Sequence, residues 1–171
     1  MIITYTVKIR DTGTKYWYLD DKLHREDGPA IEYADGSKMW YLNDKLHRTD
    51  GPAVEHANGS KVWYLDNKRH REDGPAVEYS NGIKMWYLKG KLHRTDGPAV
   101  EYAGGSKMWC LNDKRHREDG PAVEHANGIK YWYLNDKLLT EAQWRKAVQP
   151  KPSCAGKIVE IDGKKYKLVA A

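Results

Sequence analysis

From Lys15 onward, apolar and polar positions recur at a fixed interval rather than with helical spacing. Lys38-Met39-Trp40-Tyr41-Leu42 is rich in strand formers, and its length fits a strand. A polar connection from Asn43 to Gly51 follows. Pro52-Ala53-Val54-Glu55-His56 then predicts a second strand, with Pro tolerated at its first residue. Asn58-Gly59 turns the chain into the next unit as a two-residue hairpin turn. Asp35-Gly36, Asn81-Gly82, Gly104-Gly105 and Asn127-Gly128 stand at the same register, each with Gly second, as a backbone at positive φ requires. Alternation places Trp40 and Leu42 on one face and Met39 and Tyr41 on the other. Both faces are therefore partly apolar. A flat sheet would expose a long patch, so the pattern predicts a twisted, rolled sheet or a partner covering one face.

The period is 23 residues, without insertions or deletions. Trp17, Trp40, Trp63, Trp86, Trp109 and Trp132 mark it, each two residues after a Lys and two before a Leu. His24-Arg25, His47-Arg48, His70-Arg71, His93-Arg94 and His116-Arg117 share one register, and Asp27-Gly28-Pro29-Ala30 recurs after each pair. There are five full copies and a sixth that departs after Leu138. Such a period is the signature of a stacked array. The predicted fold is all-β: an elongated single-sheet rod of tandem β-hairpin repeats, with a short C-terminal helix and a terminal hairpin. At two strands of about 4.8 Å per unit, the rod is on the order of 50 Å long.

Four segments follow. Residues 1–14 read as an N-terminal half-repeat cap, with Ile3, Tyr5, Val7 and Ile9 alternating and Thr12-Gly13 before Lys15. Residues 15–138 are the array. Residues 139–149 read as a capping helix, with Thr140 and Gln143 as a capping box and Leu139 and Trp144 as a hydrophobic staple. That helix would cover the last Trp and blunt the sheet edge. Residues 150–171 are a Pro-Lys-Pro linker and a hairpin, in which an Asp162-Gly163 turn puts Val159 opposite Tyr166 and Glu160 opposite Lys165.

Composition sharpens this picture. The chain has no Phe but 7 Trp and 12 Tyr, which suits a thin fold whose apolar side chains keep a polar tip in water. The formal net charge of +5 is unevenly placed. The full repeats, 15–129, carry 18 Lys and Arg against 19 Asp and Glu, whereas 130–171 carries 9 against 4. No stretch approaches the roughly 18 apolar residues of a membrane span. The start lacks the basic and apolar regions of a secretory leader. With only Cys110 and Cys154, no disulfide framework is expected, and a cytoplasmic location follows.

The His-Arg-Glu/Thr-Asp run resembles acid–base machinery, but an active site needs one preorganised cleft, and this run stands in every unit. The structural reading is that Asp shapes the turn while His packs locally. No Cys/His spacing fits zinc, and no phosphate loop or nucleophile elbow is present, so no catalytic residue, metal or cofactor is assigned. Two candidate binding features remain: the His-Arg edge, and Lys164, Lys165 and Lys167 in the terminal segment. The six repeat Trp residues read as a structural ladder. A nucleic-acid or nucleotide binder using that edge and the basic tail is the alternative to a protein partner, although a nearly neutral array offers little to phosphates.

Trp40-Tyr41-Leu42-Asn43-Asp44-Lys45-Leu46-His47-Arg48, with Gly51 and Asn58-Gly59, resembles the MORN repeat, and more closely the MORN-like variant of bacterial and bacteriophage proteins. The resemblance covers about 15–138. It implies a hairpin rod used for protein contacts, dimerisation and, in some members, acidic-lipid contact. The expectation is a non-catalytic scaffold that binds another protein: a phage-encoded effector or inhibitor acting on a host defence or regulatory factor in the host cytoplasm, with homo-oligomers among its assemblies.

Overall fold

The computed structural model describes residues 4–149, 158–162 and 164–167. The array forms one 14-stranded antiparallel sheet whose strands follow each other nearly in chain order. Lys38–Met39 pairs with Ile31–Glu32 on one side and Val54–Glu55 on the other, and the same pairing repeats unit after unit. The array is therefore elongated, with each strand bonded only within its own or the adjoining unit.

Interior strands are shorter than the pattern predicts. Lys15–Leu19 and Lys130–Leu134 run as five-residue strands, but interior copies break at Trp. Beyond Trp40, Tyr41–Leu42 pairs with Lys45–Leu46 inside what reads as a polar connection. The turn between them is Asn43-Asp44, with φ of +50° and +62°. Both residues at positive φ in a two-residue loop make a type I′ turn, whose twist matches the flanking strands. Trp40 is the hinge between the two strips: its N–H donates to the Ala53 carbonyl (2.8 Å) and its carbonyl accepts from the His47 N–H (3.1 Å).

The fold at Trp resolves the problem of two apolar faces. The Met/Tyr face closes on itself: Val54, Val62, Ala76, Val77 and Tyr87 form a buried cluster with Met39, Leu46, Tyr64, Met85 and Leu92 packed against it, joined by Trp63 from the bend. On the opposite face of the main sheet Lys and Glu alternate strand by strand, Lys38 standing opposite Glu32 and Glu55 in register. Each interior Lys thus has an acid on either side, which suits cross-strand neighbours.

The turns into the next unit also differ from the expected Asn-Gly pair. Tyr33 N–H donates to Ser37 O (2.9 Å) and Gly36 N–H to Tyr33 O (3.0 Å), so the loop has three residues with Gly36 alone at positive φ, +91°. The Asp35 Oδ1 accepts the Ser37 N–H at 2.8 Å and supports this turn, but Gly104 makes the same turn without a side chain, so the left-handed Gly is the shared requirement.

Units are clasped together at the other turn. Asp44 N–H donates to Leu23 O (2.9 Å), and Asp44 Oδ1 accepts the Leu23 N–H (2.8 Å).

At the N-terminal end Thr6–Ile9 pairs with Lys15–Leu19, as a half-repeat would. Its faces are swapped relative to the array. Lys8 and Arg10 lie over the Tyr18 and Tyr16 rings (4.8 and 5.1 Å), while Val7 and Ile9 share the outer face with Trp17 and are 46% and 66% exposed. At the other end the helix Glu141–Val148 starts on the predicted capping box, Thr140 with Gln143, and buries Trp144. The terminal hairpin pairs Ile158–Ile161 with Lys164–Lys167, with Val159 opposite Tyr166 and Glu160 opposite Lys165, as predicted. Residues 1–3, the linker 150–157 with Cys154, Gly163 and 168–171 lie outside the described residues. Among the described residues no helix is long and apolar enough to cross a membrane.

Candidate functional site

The Arg of every His-Arg pair is folded back onto its own unit. Arg48 stacks on Trp40 (4.1 Å to the ring centre), donates Nε–H to Asp50 (2.9 Å), and shares Nη1 between the Pro52 carbonyl (3.2 Å) and Glu55 (3.1 Å). The other four pairs match: Arg25 on Trp17, Arg71 on Trp63, Arg94 on Trp86 and Arg117 on Trp109. Beneath each guanidinium lies the Gly of the Asp-Gly-Pro-Ala motif, where an added Cβ would meet the Arg48 Cζ at 2.9 Å. The motif is therefore the seat for the Arg. It supplies a carboxylate, a residue without a side chain and a carbonyl, all aimed at one fork. These hydrogen bonds hold the carboxyls of Asp27, Asp50, Asp73 and Asp96 below the ordinary carboxylate range.

The His residues look toward the next unit. His24 Nδ1 lies 3.0 Å from Asn43 Oδ1 and 3.3 Å from the Asn43 nitrogen. His93 and His116 repeat this against Asn112 and Asn135, His47 meets Asp66, and His70 accepts from the Lys89 N–H. On the Nε2 side, His24, His70 and His116 face Glu26, Glu72 and Glu118 at 3.4–3.6 Å. The second and fourth units have Thr49 and Thr95 there instead.

The outer face between successive Asp-Gly-Pro loops is a row of open clefts of about 450 to 730 Å³. One is floored by Trp40 and Leu42 and walled by residues 25–29 and 47–50. Equivalent clefts are floored by Trp63 with Leu65, Trp86 with Leu88, and Trp109 with Leu111. Trp and Leu thus stay half-buried and line the cleft floor, and Trp63 also packs against the core cluster. The rim is acidic: the side chains of Asp27, Asp50, Asp73, Asp96 and Asp119 are 73–83% exposed.

The sixth unit has no Arg to cover Trp132. Trp144 of the helix takes that place, with ring centres 4.4 Å apart and its Nε1–H donating to Arg117 O at 2.9 Å. Lys164, Lys165 and Lys167 all fall on one strand of the separate terminal hairpin. Cys110 fills the core position that Tyr holds in the other units. Burial pushes its thiol up to about 11, so it is no nucleophile at neutral pH. No cluster of metal-ligating side chains is found among the described residues. No family model matches the chain, and no curated protein matches it either.

Two features of this face escape a reading of the sequence: the Arg–Trp stack and the clefts it borders. A signal for the stack exists. Arg follows Trp by eight residues in five units, and the sixth unit, which lacks that Arg, supplies a helix with its own Trp.

Proposed function

We propose that the chain is a non-catalytic scaffold that binds another protein along its row of clefts. The observation that carries this is the equivalence of the clefts: the same Trp-Leu floor and acidic rim recur unit after unit. Catalysis rewards one preorganised constellation, whereas a periodic surface rewards many weak contacts made at once. The resemblance of the unit to MORN-like repeats of bacterial and phage proteins supports a host defence or regulatory factor as the partner, and the host cytoplasm as the place. The nucleic-acid reading loses its main support, because the Arg of each His-Arg pair already serves a carboxylate, a carbonyl and a Trp ring.

The test is affinity capture from a bacterial lysate with two baits: the parent chain and a Thr49→Arg/Glu72→Arg/Thr95→Arg variant. All three positions are exposed, so the variant keeps its fold, checked by circular dichroism. A protein retained by the parent and lost by the variant is the expected result. Equal retention by both, or none by either, contradicts the proposal.

A further inference from the structure

The clefts repeat at a spacing that selects among polypeptide conformations. Each unit contributes two strands to the main sheet, so neighbouring clefts are about 9.6 Å apart. A polyproline-II helix rises about 3.1 Å per residue with three residues per turn, so one side chain returns to the same face every 9.3 Å or so. Over the three intervals between four clefts the mismatch accumulates to only about 1 Å. A β-strand advances a similar distance in three residues, but its side chains alternate, so every third residue points to the opposite face. An α-helix rises about 10.8 Å in two turns and drifts out of step by more than 3 Å along the row.

The chemistry of the clefts agrees with this geometry. Trp40 and Leu42 line the cleft floor, with one face of the Trp ring already under Arg48, and aromatic-lined grooves suit proline-rich segments, whose ordering cost is already low. The rim is carboxylate: Asp50 presents a 79% exposed side chain, and Glu26 and Glu72 add 61% and 83% exposed ones in alternate units. The two cations at the cleft wall, Arg25 and Arg48, are each already offset by an Asp and a Glu, which leaves the Glu of alternate units as the excess acid of the rim. We infer that the cleft row is a track for an extended polyproline-II segment of a partner protein that carries a basic side chain at every third residue. The inference rests on the protein-scaffold reading above and names the chemistry of its partner.

The probes are fluorescein-labelled peptides of two, three and four Pro-Pro-Arg triplets, titrated into the full chain by fluorescence anisotropy. Affinity should rise on the order of tenfold with each added triplet, as linked sites do when their spacing matches. A peptide of the same composition with its Arg residues out of the triplet register, and a Pro-Pro-Glu series, should bind at least about tenfold more weakly. Glu26→Lys/Glu72→Lys/Glu118→Lys, at three exposed positions, should weaken the four-triplet peptide by a similar factor. No binding, no gain with length, or equal binding of the out-of-register peptide overturns the inference. If the peptides fail while a captured protein is still lost on the rim variant of the previous section, the track falls and the scaffold stands. If that variant also keeps its protein, both fall.

Discussion

At the scale of single residues, the unit is organised around one arginine. Its charge, its plane and its donors are each matched: by Asp and Glu, by the Trp ring, and by the Pro carbonyl. Gly74 makes room for that guanidinium, since a Cβ there would lie 3.0 Å from the Arg71 Cζ and push the fork out of its seat. Gly74→Ala should therefore cost about 1–3 kcal/mol, the usual penalty for overpacking. In an Arg71→Ala background the same change should cost less than about 0.5 kcal/mol, because the clash is gone. Urea unfolding of the four proteins of this double-mutant cycle measures it, and additive costs would refute the seat. The sequence shows that Trp, Arg and Asp-Gly-Pro recur in register, but not that they touch. Contact across the unit depends on the fold at Trp40, which no local pattern announces. The His residues were legible as locally packed groups, though not as the link from one unit to the next turn.

At the scale of elements, the hairpin reading captured the period, the sheet and the helix cap, and missed the inner turn. Asn43-Asp44 and its copies looked like polar connection because Asx pairs fit several loop types equally well. Their φ values show what they do: both residues take the left-handed region, and the second clasps the preceding unit. One copy departs from the others. Lys89-Gly90 puts a Lys at φ +51° and has no side chain to accept the Arg69 N–H, whereas Asp44, Asn67, Asp113 and Asp136 all accept from the unit before. Lys89→Asn/Gly90→Asp restores the pattern of the other units and should raise stability by about 1 kcal/mol, the range for repairs of this kind. An unchanged or lower melting temperature would show that the clasp contributes nothing.

At the scale of the whole molecule, the sheet is a one-dimensional stack. Each strand pairs only within its own or the adjoining unit, the core is a thin line of Val, Met, Ala and Tyr, and the ends are closed by different devices. Period and elongation were legible because identical spacing leaves little choice of architecture. The resolution of the two apolar faces was not: the sequence allowed a rolled sheet or a covering partner. The structure shows one face folded closed on the core and the other shaped into clefts. If stability is a sum of unit and neighbour terms, any interior unit is dispensable. Removing residues 61–83 joins Ser60 to Lys84, the same junction as Ser37 to Lys38. Small-angle scattering of this deletion against the parent chain is the most direct test of the stacked array. The predicted result is a folded particle whose longest dimension shrinks by about 10 Å, one unit of two strands. An unfolded scattering profile, or an unchanged longest dimension, would contradict it.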